Sequence, residues 1–259
     1  MKKALFLGIS LMAMGTAPAL AADLPARTYT KAPAYMPPPI YNWAGFYIGL
    51  NGGGGSSHNC WDLTSVAGVP VAVGSVREGC HDATGGMVGG QIGYRWQASS
   101  WVFGLEAQGD WANFKGSNLS SPVAFGSALT NQTKIDAIGL FTGQVGYAWN
   151  NVLWYAKGGA ALTHDKYNGI ATATGTTLDQ ASETRWGGAV GTGVEVGFAP
   201  GWSVAVEYDH LFMGSGNNTF TSLAAPVGVV TRVDSIKQDV DMGTVRINYT
   251  FGGPVVARY

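Results

Sequence analysis

Three residues near the end of one segment carry the side chains of a hydrolase: Asp209, His210 and Ser215. Serine, histidine and a carboxylate act as nucleophile, general base and orienting group when they converge on one site. The segment alternates like a β-strand, in which neighbouring side chains point to opposite faces, so His210 should face away from Asp209. The sequence also lacks a nucleophile elbow and a His-Glu zinc motif. We therefore predict that the protein is not an enzyme and has no catalytic residues.

Two cysteines and two histidines form a second group, made of His58, Cys60, Cys80 and His81. A disulfide between Cys60 and Cys80 is the first interpretation, because both cysteines lie in a polar segment of a chain that carries an export signal. The alternative is a metal site built from all four residues. The spacing contains no Cys-x-x-Cys pair of the kind that zinc sites use, so we predict the disulfide and no metal.

A glycine-rich stretch at residues 187–197, GGAVGTGVEVG, resembles a phosphate-binding loop at first sight. The dinucleotide fingerprint needs its third glycine three positions after the second, and a helix must follow. Here Gly191 and Gly193 are followed by Gly197, one position late, and then by a turn. We predict no nucleotide and no other cofactor, and we interpret the glycines as space around Glu195 inside a crowded structure.

The amino end has the pattern of a secretory signal peptide, with Lys2 and Lys3 before an apolar run and small residues at 19–21. We predict cleavage after Ala21, so that residues 1–21 are removed. The remaining chain has 13 basic and 16 acidic residues, a formal charge of −3 without a basic run, which argues against a nucleic-acid partner. Residues 22–42 contain five prolines and no hydrophobic period, as expected for an extended tether.

From residue 43 onward, short apolar alternations with a period of two are separated by glycine and polar residues. We predict strands at 43–52, 86–97, 100–112, 134–149, 152–164, 184–199, 201–213 and 238–251. Tight connections alternate with long ones at 53–85, 113–133, 165–183 and 214–237. An even number of strands with this alternation predicts an all-β fold, an eight-stranded antiparallel up-and-down transmembrane β-barrel over 43–251. Residues 252–259 are then a carboxyl-terminal extension.

The distribution of residue types favours a barrel in a membrane over a water-soluble sandwich or lipocalin-like barrel. Only 12% of the residues are charged, about half the usual share, and 39 are glycine. Aromatic residues flank the tight turns, where the interface with lipid headgroups would lie. One face of the strands is apolar. The other face carries charges among Gly and Ala, which suits a narrow lumen better than a solvated exterior.

The charges of that second face form the predicted functional feature. We predict a lumen charge network of Arg95, Glu106, Lys157, Arg185, Glu195, Glu207, Asp209 and Arg246, with Arg185 and Asp209 nearer the outer end. Eight strands leave room only for side chains, so the network should form a salt-bridged plug, in which Glu195 is met by Lys157 or Arg246. The alternative is a small ion channel between acidic and basic walls.

Five motifs follow one another along the chain: WAGFYIG at 43–49, YAKGG at 155–159, GTGVE at 191–195, WSVAVEY at 202–208 and VRINYTF at 245–251. In this order they resemble the outer-membrane immunogenic proteins of alpha-proteobacteria, a family of small surface-exposed barrels related to the OmpA-type barrel. The resemblance implies an abundant outer-membrane protein without catalytic residues, in contact with lipid and lipopolysaccharide, and some members are described as porins. A lipid-modifying enzyme is the third alternative, after the structural barrel and the small ion channel. The sequence does not determine the oligomeric state.

The resemblance also bears on the two ends of the mature chain. Members commonly end at the aromatic residue that the barrel-assembly machinery reads, which would be Phe251 here, whereas this sequence continues to Tyr259. Some relatives are joined to peptidoglycan through the amino terminus, which would place the attachment at Ala22, whose free amine is a workable nucleophile. The alternative for this end is an unattached tail.

Overall fold

The computed structural model describes residues 41–121, 124–125 and 128–252, which lie in one compact unit. The predicted signal peptide, most of the predicted tether, the attachment at Ala22 and the alternative assembly signal Tyr259 lie outside the described residues. The described part of the chain has no helix that is long and apolar enough to cross a membrane.

Within the described residues the fold consists of eight long antiparallel strands and one two-residue strand. They are β1 (Gly45–Val66), β2 (Val69–Pro70), β3 (Val76–Ala98), β4 (Trp101–Leu119), β5 (Leu129–Trp149), β6 (Val152–Ala171), β7 (Thr177–Ala199), β8 (Trp202–Ser222) and β9 (Val230–Phe251). Each long strand pairs with the next, and β1 also pairs with β9, which closes the ring. Strand β2 pairs only with β1, in the first outer connection. The predicted eight-stranded up-and-down barrel is confirmed.

The strands extend much further at their outer ends than predicted, and the prediction of long outer loops was wrong. Residues 53–66 and 76–85 are strand, and the connections between the long strands shrink to 67–75, 120–128, 172–176 and 223–229. The apolar half of the alternation stops where the outer face leaves the lipid, but cross-strand hydrogen bonding continues because it needs no particular side chain. A search for hydrophobic alternation therefore ends each strand too early.

The tight connections at the other end of the barrel each contain two residues. Such turns require backbone with positive φ, and Ser99, Asn150 and Gly201 have φ of 58°, 54° and 77°. Glycine and asparagine tolerate this region better than most residues, so Gly201 and Asn150 are natural choices. In outer-membrane barrels the short turns face the periplasm, which fixes the inner end of this barrel.

Two girdles of aromatic side chains mark the apolar band on the outside of the barrel. The inner girdle follows the short turns and includes Trp96, Trp101, Trp149, Trp154 and Trp202, all between 42% and 54% exposed. The outer girdle includes Trp111 and Trp186, at 76% and 62%. Most outward-facing charges lie at the level of the outer girdle or beyond it, and we call that zone the outer collar. Rings at both headgroup levels are what a membrane-spanning barrel requires.

The interior is filled by side chains in successive layers. From the inner end, these are an aromatic layer with Trp43 and Tyr155, a charged layer, an apolar layer with Met87 and Phe114, and an aromatic layer at the outer end with Trp61 and Phe220. All six of these side chains are buried. An eight-stranded barrel is just wide enough to be filled in this way.

Candidate functional site: the charged lumen

Five of the eight predicted network residues meet in a central cluster, made of Glu106, Lys157, Glu207, Asp209 and Arg246. The ammonium of Lys157 lies 2.6 Å from Glu207 Oε1, 3.2 Å from Asp209 Oδ1 and 3.5 Å from Glu106 Oε1. Arg246 bridges Glu106 and Glu207 through its two terminal nitrogens. Three carboxylates therefore surround two cations, which partly neutralises a region that water does not reach.

Two tyrosines, which were not predicted as site residues, complete the central cluster. Tyr47 donates a 2.6 Å hydrogen bond to Glu106 Oε2, and Tyr155 donates one of 2.6 Å to Glu207 Oε2. The signal was present in the sequence, because alternation places Tyr47 on the face opposite Phe46. Gly93 and Gly193 face these two rings so closely that a Cβ at either position would overlap the phenol group.

A second pair, Arg95 and Glu195, lies next to the central cluster. Arg95 Nη2 is 2.7 Å from Glu195 Oε2, and its guanidinium lies 4.3 Å above the ring of Tyr47. Asn248 donates a 2.9 Å hydrogen bond to Glu195 Oε1, and Ser203 donates another to the same oxygen. These three donors give both oxygens of a wholly buried carboxylate at least one hydrogen bond.

The expectation that Lys157 or Arg246 meets Glu195 was therefore wrong. The strands of a barrel tilt, so residues at equal distances from their turns do not lie at equal heights. The glycine-rich stretch needs the same correction. Gly191 and Gly193 leave space for the carboxylate of Asp209 and the ring of Tyr155, and not for Glu195.

Arg185, the last of the predicted network residues, does not join the central cluster. It pairs with Glu183 and donates a 2.8 Å hydrogen bond to the carbonyl of Ile236. It lies where the ladder between β7 and β8 is interrupted, between Gln180 and Gly188. Asp209, which was also predicted nearer the outer end, lies two residues beyond Glu207 on β8 and pairs with Lys157 of the central cluster.

An outer cluster that was not predicted surrounds Arg232 near the outer end of the barrel. Its guanidinium lies 2.9 Å from Glu78, 3.2 Å from Asp234 and 3.3 Å from Asp179, and 4.3 Å above the ring of Phe220. Burial raises the pKa of Asp234 to about 8, although Arg232 opposes the shift. All four charged residues lie in segments predicted as loops, which is why they were missed.

The structure joins Cys60 and Cys80 by a disulfide on the outside of the barrel. The two cysteines are cross-strand partners in β1 and β3, so the bond braces two paired strands and not a loop. The four-residue metal site does not form, because His81 points into the lumen, where its ring nitrogens lie 2.7 Å from Asn118 and 2.9 Å from Thr133. Burial lowers the pKa of His81, although the hydrogen bond with Asn118 opposes this effect.

The hydrolase-like group does not converge on one site. Asp209 faces the lumen, whereas His210 is turned outward and its Nδ1 lies 2.7 Å from Asp241 Oδ1. Ser215 is also exposed, opposite Lys237 in the ladder and beyond the break in β8 at Gly214. Ser215 therefore does not lie beside His210 in the way that acyl-transfer chemistry requires of a nucleophile and its base.

The closed ring, the two aromatic girdles, the apolar band and the short inner turns define a transmembrane barrel of the outer-membrane type. The chain belongs to the family described as outer membrane protein beta-barrel domain, whose sequence model matches residues 7–232. It is therefore an integral protein of the Gram-negative outer membrane. Phe251, one of the two candidate assembly signals, is the last residue of β9 and packs on Tyr249 at 4.8 Å between ring centres.

Similar proteins agree with this assignment. The 31 kDa outer-membrane immunogenic proteins of Brucella melitensis and Brucella suis are each 29% identical over 258 residues, covering 93% of this chain and 97% of theirs. Two solved structures share the fold. The protease OmpT of Escherichia coli has a TM-score of 0.53 at 9% identity, covering 80% of this chain and 97% of OmpT. The outer membrane protein OprG of Pseudomonas aeruginosa has a TM-score of 0.53 at 13% identity, and the match covers 83% of this chain and 99% of OprG. The resemblance to alpha-proteobacterial immunogenic proteins is confirmed.

Proposed function

We propose that this protein is a structural barrel with a closed lumen, which contributes to envelope integrity and presents its outer end at the cell surface. One observation carries the proposal. Every charged side chain of the central cluster, and of the pair between Arg95 and Glu195, is at most 1% exposed. A conducting pore would keep the charges that select its ions in contact with water.

The energetics favour a plug that stays in place. Removing one partner of a buried ion pair leaves an uncompensated charge and costs roughly 3–5 kcal/mol. Opening the lumen would separate several such pairs together with the hydrogen bonds of Tyr47 and Tyr155. The aromatic layers above and below the charges would also have to move. Spontaneous opening should therefore be rare.

Conductance in planar lipid bilayers tests the closed lumen directly. The purified protein should insert without stable unitary current steps. A double variant, Tyr47→Ala with Arg95→Ala, removes two large lumen side chains and serves as the control that the method detects an opening in this barrel. Steps from the unmodified protein, with an ion selectivity that Lys157→Ala or Glu195→Ala changes, would refute the plug and establish a channel.

The channel is the second candidate because some buried polar atoms of the lumen have no hydrogen-bond partner among the described residues. They include Asn51 Oδ1, Asp110 Oδ1 and Thr244 Oγ1. Such atoms are usually satisfied by ordered water, and connected waters could carry ions. The bilayer measurement separates the two candidates, because isolated waters leave the conductance at zero.

We also propose that the protein has no catalytic activity. OmpT, which shares the fold, is a protease, so the fold alone does not decide this point. The separation of Asp209, His210 and Ser215 supports the proposal. Deletion of the protein should leave the mass profile of lipid A unchanged. An altered profile that His210→Ala reproduces would show a lipid-modifying enzyme.

Recognition of Phe251 by the assembly machinery remains a prediction.

A further inference from the structure

Three lysines form a continuous row across neighbouring strands in the outer collar. Lys115 of β4 is the direct cross-strand partner of Lys134 of β5, which is in turn the partner of Lys166 of β6. Their neighbours Phe114, Ile135 and Asp165 are buried in the lumen, so the lysines face outward. We call these three residues the lysine row.

Like charges directly opposite one another destabilise a sheet, so the lysine row needs an explanation. Asp136 neutralises part of it, because its Oδ2 lies 2.6 Å from Lys166 Nζ. Lys115 and Lys134 form no ion pair among the described residues. An uncompensated pair of cations on adjacent strands has the charge and the spacing to receive an anion from outside the protein.

The height of the lysine row matches the polar boundary of the outer leaflet. Lys166 lies four residues beyond Leu162, which is the ladder partner of Trp186 in the outer girdle. The distance from Leu162 to Lys166 is about 13 Å along the strand, which corresponds to about 10 Å in height for a strand tilted by ~40°. A lysine side chain can reach back toward the membrane over several of those ångströms. The row therefore lies beside the headgroup layer.

The opposite side of the outer collar differs in charge. Strand β9 carries Asp239 and Asp241 there, and each of these carboxylates has a nearby basic partner. Asp82 lies on β3, next to β4, and pairs with His58. Lysines are therefore not simply spread around the rim for solubility. The excess of positive charge is confined to β4, β5 and β6, which gives the barrel one face suited to an anionic lipid.

We propose that the lysine row binds the phosphate groups of the glycolipid of the outer leaflet, lipopolysaccharide. Lys115 and Lys134 contact the phosphates, while Asp136 holds Lys166 in place at the edge of the site. The apolar band below the row, next to Phe141 and Trp111, would lie along the acyl chains of the same lipid. The proposal depends on the position in the outer membrane and not on the closed lumen.

Binding of lipid A to the folded protein in detergent tests the proposal. The probes are bisphosphorylated lipid A, dephosphorylated lipid A with the same acyl chains, and inorganic phosphate. The test variant is Lys115→Gln with Lys134→Gln. The matched control is Arg77→Gln with Lys237→Gln, which also removes two exposed outward cations. Retention of fold is checked by circular dichroism.

The test variant should bind bisphosphorylated lipid A about tenfold to thirtyfold more weakly than the unmodified protein, while the control binds within about threefold. Dephosphorylated lipid A should bind all three proteins equally. Equal weakening in both variants, or an affinity that does not depend on the phosphates, would overturn the proposal. Competition by inorganic phosphate as strong as that by the lipid would overturn the assignment to a lipid. If the double variant fails to fold, Lys134→Glu replaces it with the same expected direction.

Discussion

Arg95 and Glu195 form an ion pair that is closed off from solvent, with 2.7 Å between Nη2 and Oε2 and neither side chain exposed. The pair joins β3 to β7 across the lumen, so it links strands that are not neighbours in the sheet. Backbone hydrogen bonds hold adjacent strands together. The ion pair adds a connection through the interior, which should resist any widening of the barrel.

Replacement of Arg95 by Ala should lower the free energy of unfolding by roughly 3–5 kcal/mol, because Glu195 remains buried without its cation. Urea unfolding in lipid vesicles measures this change. The double variant Arg95→Met with Glu195→Gln removes both charges and should lose clearly less than Arg95→Ala. Arg95→Met is the matched single variant, because it keeps most of the side-chain volume; if it is no less stable than the double variant, the unpaired carboxylate does not cause the loss.

The two lumen tyrosines should each stabilise the fold through the phenol hydroxyl. Tyr47→Phe and Tyr155→Phe keep the rings but remove hydrogen bonds to Glu106 and Glu207, which should cost roughly 1.5–3 kcal/mol each. Tyr94→Phe is the matched control, because Tyr94 is 45% exposed on the outside of the barrel. Thermal unfolding followed by circular dichroism should leave Tyr94→Phe unchanged. A similar loss in all three variants would contradict a specific role for the buried hydroxyls.

Most of the architecture could be predicted from the sequence, but the pairing inside the lumen could not. Alternation identified which residues face inward, since Arg95, Lys157 and Glu195 are all buried. The partner of Glu195 depends on strand tilt and on the register around the whole ring, and neither is encoded in the spacing within one strand.

The outer cluster was missed for a different reason. Beyond the lipid both faces of a strand can be polar, so the segments around Glu78 and Arg232 have no hydrophobic alternation that distinguishes strand from loop. Only the cross-strand register shows that β1, β3 and β9 continue to this height. The lysine row could not be predicted for the same reason, because the three lysines form a row only in the register that pairs β4, β5 and β6.

Asp165, beyond the outer girdle, should make stability depend on pH. Burial raises its pKa from 3.8 to about 6, although hydrogen bonds with Thr163 and Gln238 oppose the shift. Between these two values the unfolded chain has lost the proton while the folded chain keeps it, so stability falls as pH rises from about 4 to about 6. Asp165→Asn should flatten the curve in this window and raise stability at pH 7 by roughly 3 kcal/mol.

Asp136→Asn provides the contrasting control for this pH dependence. Although burial opposes the effect, Lys166 and its neighbours lower the pKa of Asp136. The stability that this carboxylate contributes is present above its unfolded pKa and is lost as pH falls through the folded value. Asp136→Asn should therefore lower the free energy of unfolding at pH 7 and not at pH 3. Identical pH profiles for the two variants, measured by urea unfolding, would contradict the assignment.

Arg185 should hold the barrel wall closed where the ladder between β7 and β8 is interrupted. Residues 181–187 and 213–220 face each other there without direct ladder pairing, and Arg185 crosses the break to the carbonyl of Ile236 at 2.8 Å. Without this bond, Arg185→Ala should let the two segments separate more often, which exposes their amides to solvent. Hydrogen exchange should then rise at least severalfold in 181–187 and 213–220 but not in β4 and β5. Arg185→Lys can restore one donor and should give an intermediate exchange rate. Unchanged hydrogen exchange in Arg185→Ala would contradict this role and would mean that the packing of Met213 and Phe220 alone closes the wall.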